Sequence, residues 1–135
     1  MFEKLVAPLR ERRGVSVEAD FAEETASAYR KFHYQFSDIS IILLEGIYLL
    51  KREYQHHHDV SLWIDCSFDT ALQRAVARAQ EGLSPEETIR AYKQIYFPAQ
   101  ELHFQRDSPR QAASLILDND PFSPEVLIET RTAGV

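Results

Sequence analysis

The sequence predicts an α/β protein built on a small, mainly parallel sheet, and three observations carry that expectation. Residues 39–44 (ISIILL) form an apolar run with the length and β-branched content of a strand buried on both faces. A second run, 60–64 (VSLWI), and a third, 114–117 (SLIL), repeat the pattern further along. Helical signals lie between the second and third runs. Strand–helix–strand alternation of this kind marks crossover units with parallel strands.

The remaining elements follow in order. Residues 2–13 read as an amphipathic helix with Phe2, Leu5, Val6 and Leu9 on one stripe and Arg10, Arg12 and Arg13 opposite. Pro8 predicts a kink or a late start, and Gly14 the stop. Residues 15–19 alternate and suggest a short extended piece. Residues 22–36 fit a helix through Ala26, Ala28 and Arg30, and fit a strand through Tyr29, Phe32, Tyr34 and Phe36 equally well. Those aromatics are expected in the core rather than stacked on a base. A short helical or loop segment covers 45–58.

Ser67 reads as the N-cap of a helix over 68–79, with Leu72, Ala75, Val76 and Ala79 inward and Gly82 closing it. The clearest local signal is Ser84-Pro85-Glu86-Glu87, a capping box with proline at the first helical position. The helix it opens is expected to bury Ile89, Tyr92, Ile95 and Tyr96, bend at Pro98 and run to 106. Asp107 to Arg110 (DSPR) reads as a turn. The domain is placed at 1–120, followed by a tail, 121–135, with a final extended piece at 126–128.

Composition narrows the function classes. At 135 residues the chain is one domain of ordinary globular make-up, 44% hydrophobic and 27% charged. Nothing approaches the roughly 18 unbroken apolar residues of a membrane span. The opening MFEKLVAPLRERR lacks a signal peptide's apolar centre, so a cytoplasmic location is expected. A net charge of −6 argues against nucleic-acid binding, which rests on Lys and Arg neutralising phosphates. Cys66 is the sole cysteine, which excludes an internal disulfide. It reads as a small buried residue at a strand end rather than a catalytic thiol.

Glu45-Gly46 ends the first apolar run, where open α/β sheets place their ligands. The carboxylate suits a group that orders a Mg²⁺-bound water or a phosphate; the bland alternative is a strand end with a turn glycine. Asp65 ends the second run and reads as a cap for the next helix. Arg74 and Arg78 lie one turn apart, as phosphate ligands or as a solvated face. His56, His57 and His58 are consecutive and cannot converge on one ion. His103 reads as a packed or surface histidine. No G-x-x-x-x-G-K-[ST] phosphate loop occurs in the sequence.

Four stretches in order, ILLEGIYLL, WIDCSFDTALQRAVAR, AYKQIYFPAQELHF and LILDND, resemble the later part of the uridine kinase and phosphoribulokinase family of P-loop kinases. The similarity runs over about 2–120. It implies a partial P-loop-kinase-type three-layer fold whose first, phosphate-loop strand is not in this sequence. The implied chemistry is transfer of the ATP γ-phosphate, with Mg²⁺, to a hydroxyl of a nucleoside or sugar phosphate. By the same resemblance Glu45 supports the metal's water shell and acts in catalysis. Arg74 and Arg78 hold the nucleotide phosphates, and Asp20 and Phe21 flank the acceptor pocket. Tyr92 and Phe97-Pro98-Ala99 resemble a helix that packs behind the lid.

The resemblance has gaps. The lid arginines that follow the first pair are replaced by Ala79-Gln80-Glu81-Gly82-Leu83, and the nucleoside-recognising histidine by Ala22-Glu23-Glu24. Without the phosphate loop, this chain is expected not to bind ATP tightly or turn it over alone. The alternative is a non-catalytic relic that binds or interacts, or a subunit that works with a phosphate-loop-bearing partner. The expected partners are ATP and a small-molecule substrate, with no nucleic acid and no membrane. Exposed sheet edges further suggest a homodimer.

Overall fold

A computed structural model describes residues 2–21, 28–79, 82–121 and 128–130. It shows a mixed α/β chain with two small sheets, one of which contains a parallel pair. The chain divides into two compact units, Met1–Glu45 and Gly46–Val135.

The first unit opens with the predicted amphipathic helix. A π turn, Phe2–Val6, runs directly into α1, Ala7–Arg12, and Phe2, Val6 and Leu9 are buried as the stripe requires. Pro8 sits just inside α1, where its missing N–H costs least, and the wider π turn precedes it. Arg13, rather than Gly14, ends the helix in the left-handed conformation, at φ 56°. Strand β1, Val15–Phe21, then pairs antiparallel with β2, Arg30–Phe36, so the ambiguous 22–36 segment is strand over 30–36. Residues 22–27 lie outside the described residues.

The register of this hairpin sorts its side chains by face. Val15, Val17 and Ala19 lie opposite Phe36, Tyr34 and Phe32, while Ser16, Glu18 and Asp20 lie opposite Gln35, His33 and Lys31. The aromatics were expected in the core, and here the structure differs. Phe32 and Phe36 are exposed, and Tyr29 more so. A two-stranded ribbon buries neither face by itself, so its apolar side lies open.

The larger correction concerns 39–44. The run is not a strand of either sheet. Arg13 fastens its start: the Ile39 N–H donates to the Arg13 carbonyl at 2.9 Å, and the guanidinium donates to Ile39 O at 3.2 Å and Ser40 Oγ at 2.9 Å. Beyond that anchor Ile41 is 85% and Leu43 90% exposed. A parallel-sheet strand needs neighbours for its ladder, and among the described residues none lies alongside.

The second unit holds the predicted strand–helix–strand order. After a short 3₁₀ turn, Gln55–His57, strand β3, Leu62–Asp65, leads through Ser67 into α2, Phe68–Arg78. Ser67 caps α2 as predicted, its Oγ accepting from the Thr70 N–H at 3.2 Å. Helix α3, Pro85–Ala91, begins with the predicted capping box. The Ser84 N–H donates to the Glu87 carboxylate at 2.9 Å and the Glu87 N–H donates to Ser84 Oγ at 3.2 Å. Hydrogen bonds from the Ser84 backbone, and then its side chain, hold the Glu87 carboxyl below its usual range. A second π turn, Tyr92–Tyr96, joins α3 to α4, Phe97–Asp107, with Pro98 just inside α4. A widened turn thus directly precedes the proline-bearing helix start here, as it does at Pro8.

Burial on this helical run corrects the prediction. Thr88 is buried, while Ile89, Ile95 and Tyr96 are exposed and Tyr92 is half-buried. Tyr92, Ile95 and Tyr96 lie within the π turn, whose wider spacing departs from the stripe of a straight α-helix, while Ile89 lies before it. On α2, Ala75 is buried, Leu72 and Val76 are half-buried, and Ala79 is exposed as the left-handed C-cap at φ 49°. The DSPR segment is a left-handed Ser108 followed by a short helix, α5, Pro109–Ala112.

Strand β4, Leu115–Asp118, pairs parallel with β3, and β5, Ile128–Thr130, pairs antiparallel with β4, giving the order β3-β4-β5. The tail's extended piece lies at β5; 126–127 are outside the described residues. Ile116 is buried at the sheet's centre, and the Trp63 ring meets Phe104 of α4 edge-on at 5.5 Å. Leu62 and Ile64, on the opposite face of β3, are exposed. No described helix is long and apolar enough to cross a membrane.

Candidate functional site

The carboxyl ends of β3 and β4 lie side by side, because the two strands are parallel and in register from Leu62 with Leu115 to Asp65 with Asp118. This rim is where an open α/β sheet binds ligands. The chain leaves β3 through Asp65, Cys66 and Ser67 into α2, and leaves β4 through Asp118, Asn119 and Asp120. The two exits are laced together. The Asn119 N–H donates to the Asp65 carbonyl at 2.8 Å. The Ser67 N–H donates to Asp120 Oδ2 at 2.8 Å, and the Thr70 hydroxyl donates to the same carboxylate at 3.2 Å.

Thr70 is only 1% exposed, so its hydroxyl depends on these partners. It also accepts from the Ser67 hydroxyl at 3.0 Å. The Asp120 carboxylate thereby lies at the start of α2, the end of a helix that favours negative charge. Its own N–H donates to Asp118 Oδ1 at 3.0 Å. Arg74, from the second turn of α2, closes the rim by donating to the Asn119 carbonyl at 2.8 Å.

Asp65 is not the helix cap it was expected to be. Its carboxylate turns to Arg110 of α5 at 2.7 Å and accepts from the Trp63 indole N–H at 3.2 Å. Ser67 does the capping, and Asp65 ties strand to helix instead. Cys66 lies between them, half-buried, its thiol pushed up by burial although the Arg74 charge opposes this. A thiol so placed is a poor nucleophile.

The residues expected to carry function fall in both units. Asp20, Phe21 and Glu45 belong to the first, and Arg74 and Arg78 to the second. Asp20 lies opposite Lys31 on the hairpin and pairs with it at 2.8 Å, a contact that raises the lysine's pKa. The Phe21 side chain lies outside the described residues. Glu45 is exposed, at the end of the 39–44 run. Arg74 and Arg78 share α2, but Arg74 spends a guanidinium nitrogen on the rim.

No set of three ligating residues able to hold a metal ion occurs among the described residues. His56 and His57 stack at 4.0 Å, while His58 Nε2 lies 3.0 Å from the Leu49 carbonyl. Glu45 is thus a lone exposed carboxylate. By themselves the described residues supply no Mg²⁺ site.

A second polar cluster escaped the sequence reading. His103 and Asp107 are both buried on α4, and the carboxylate also takes the Arg106 guanidinium at 2.8 Å and the Arg52 N–H at 3.2 Å. The Arg52 guanidinium reaches the Arg106 carbonyl at 2.6 Å, and Gln55 donates to the Asp107 carbonyl at 2.9 Å. The i, i+4 spacing of His103 and Asp107 was the available signal. No known protein-family model matches the chain.

Proposed function

We propose that this chain carries the later part of a uridine kinase- or phosphoribulokinase-type phosphotransferase of the P-loop kinase fold. Without a phosphate loop it does not turn over ATP by itself. One observation supports the reading most: β3 and β4 run parallel around a helical connection, and their shared carboxyl rim carries Arg74, one of the arginines the resemblance assigns to phosphate. In phosphoryl transfer the protein mainly positions and neutralises, and loop amides with a lysine do most of that. The resemblance assigns Arg78 to the same phosphates and Glu45 to the metal's water shell.

A second reading, a binding or interaction module, is favoured by the unfilled sheet edges. Strand β3 is the edge of its sheet among the described residues, it carries no Lys or Pro to blunt pairing, and Leu62 and Ile64 lie open along it. An added strand, from a second copy or from a phosphate-loop-bearing partner, would complete that edge.

The kinase reading is tested by supplying a strand–loop–helix segment with G-x-x-x-x-G-K-[ST], fused or as a separate polypeptide. ATP-dependent phosphorylation is then measured over a panel of nucleosides and sugar phosphates. Turnover is expected, and Glu45→Gln is expected to lower kcat about tenfold or more, equivalent to ~1.4 kcal/mol of barrier, with an unaltered circular dichroism spectrum. An unchanged rate removes Glu45 from the chemistry. No turnover with any acceptor favours the binding module.

A further inference from the structure

We draw no further inference here: the strongest candidate, the open aromatic face of the β1–β2 hairpin with Phe32, Tyr34 and Phe36, carries nothing because nothing in the structure shows what covers it.

Discussion

His103 Nδ1 lies 2.7 Å from Asp107 Oδ2, one helical turn along α4, with both side chains buried. An ionised carboxylate can only accept, so the imidazole places its hydrogen on Nδ1. Arg106, then His103 and the Arg52 N–H, hold the Asp107 carboxyl well below the usual carboxylate range. The carboxylate therefore fastens the segment around Arg52 to the end of α4.

The sign of the resulting pH dependence follows from that depression. A carboxyl with a lower pKa in the folded state than in the unfolded chain stabilises the fold above the unfolded value, about 3.9. That stabilisation is lost as pH falls from about 4 towards the folded value. Thermal unfolding followed by circular dichroism should show Asp107→Asn well below the wild type in Tm at neutral pH. The gap should narrow as the pH drops below about 4. A gap independent of pH would remove the charge on Asp107 from the stabilisation.

Thr70 offers a neutral counterpart at the strand rim. Thr70→Val keeps the volume but leaves the Asp120 carboxylate without its hydroxyl donor. Urea unfolding should show a loss of about 1–3 kcal/mol. Thr70→Ser, which restores the hydroxyl, should recover most of it. Equal losses for both variants would mean that packing, not the hydrogen bonds, is what Thr70 supplies.

Ala79 ends α2 in the left-handed region, where a Cβ is crowded and glycine is not. Ala79→Gly is expected to stabilise the protein by up to about 1 kcal/mol in the same urea experiment, against the usual cost of glycine inside a helix. Destabilisation would mean that the freedom gained by the unfolded chain outweighs the relieved strain.

Local signals were the legible part of this sequence. Ser67, the Ser84–Glu87 box and the stripe of Phe2, Val6 and Leu9 depend on neighbours a few residues away, and the structure has them where the pattern put them. What failed depended on distant partners. The 39–44 run has strand composition, but a strand exists only beside another, and composition cannot supply one. The aromatics of β2 alternate as core residues do, yet one antiparallel partner leaves their face open.

The rim shows the same division. Asp65 and Arg74 were picked out from their positions, but their partners, Arg110 and the Asn119 carbonyl, lie 45 residues away in each case. Pairings over that distance follow from the β3–β4 register, which sequence spacing does not encode. Pro98 was read as a bend, but a widened turn precedes it, and Ile95, inside that turn, is exposed.

Calorimetric titration of Mg·ATP, first into the purified chain and then into the chain supplied with a phosphate-loop segment, tests the proposed function most directly. No binding is predicted for the chain alone at concentrations up to several times about 1 mM, where Kd corresponds to ~4 kcal/mol. Saturable binding is predicted after the loop is supplied. Binding by the unaided chain at about 1 mM or tighter, or none after the loop is supplied, would contradict the account.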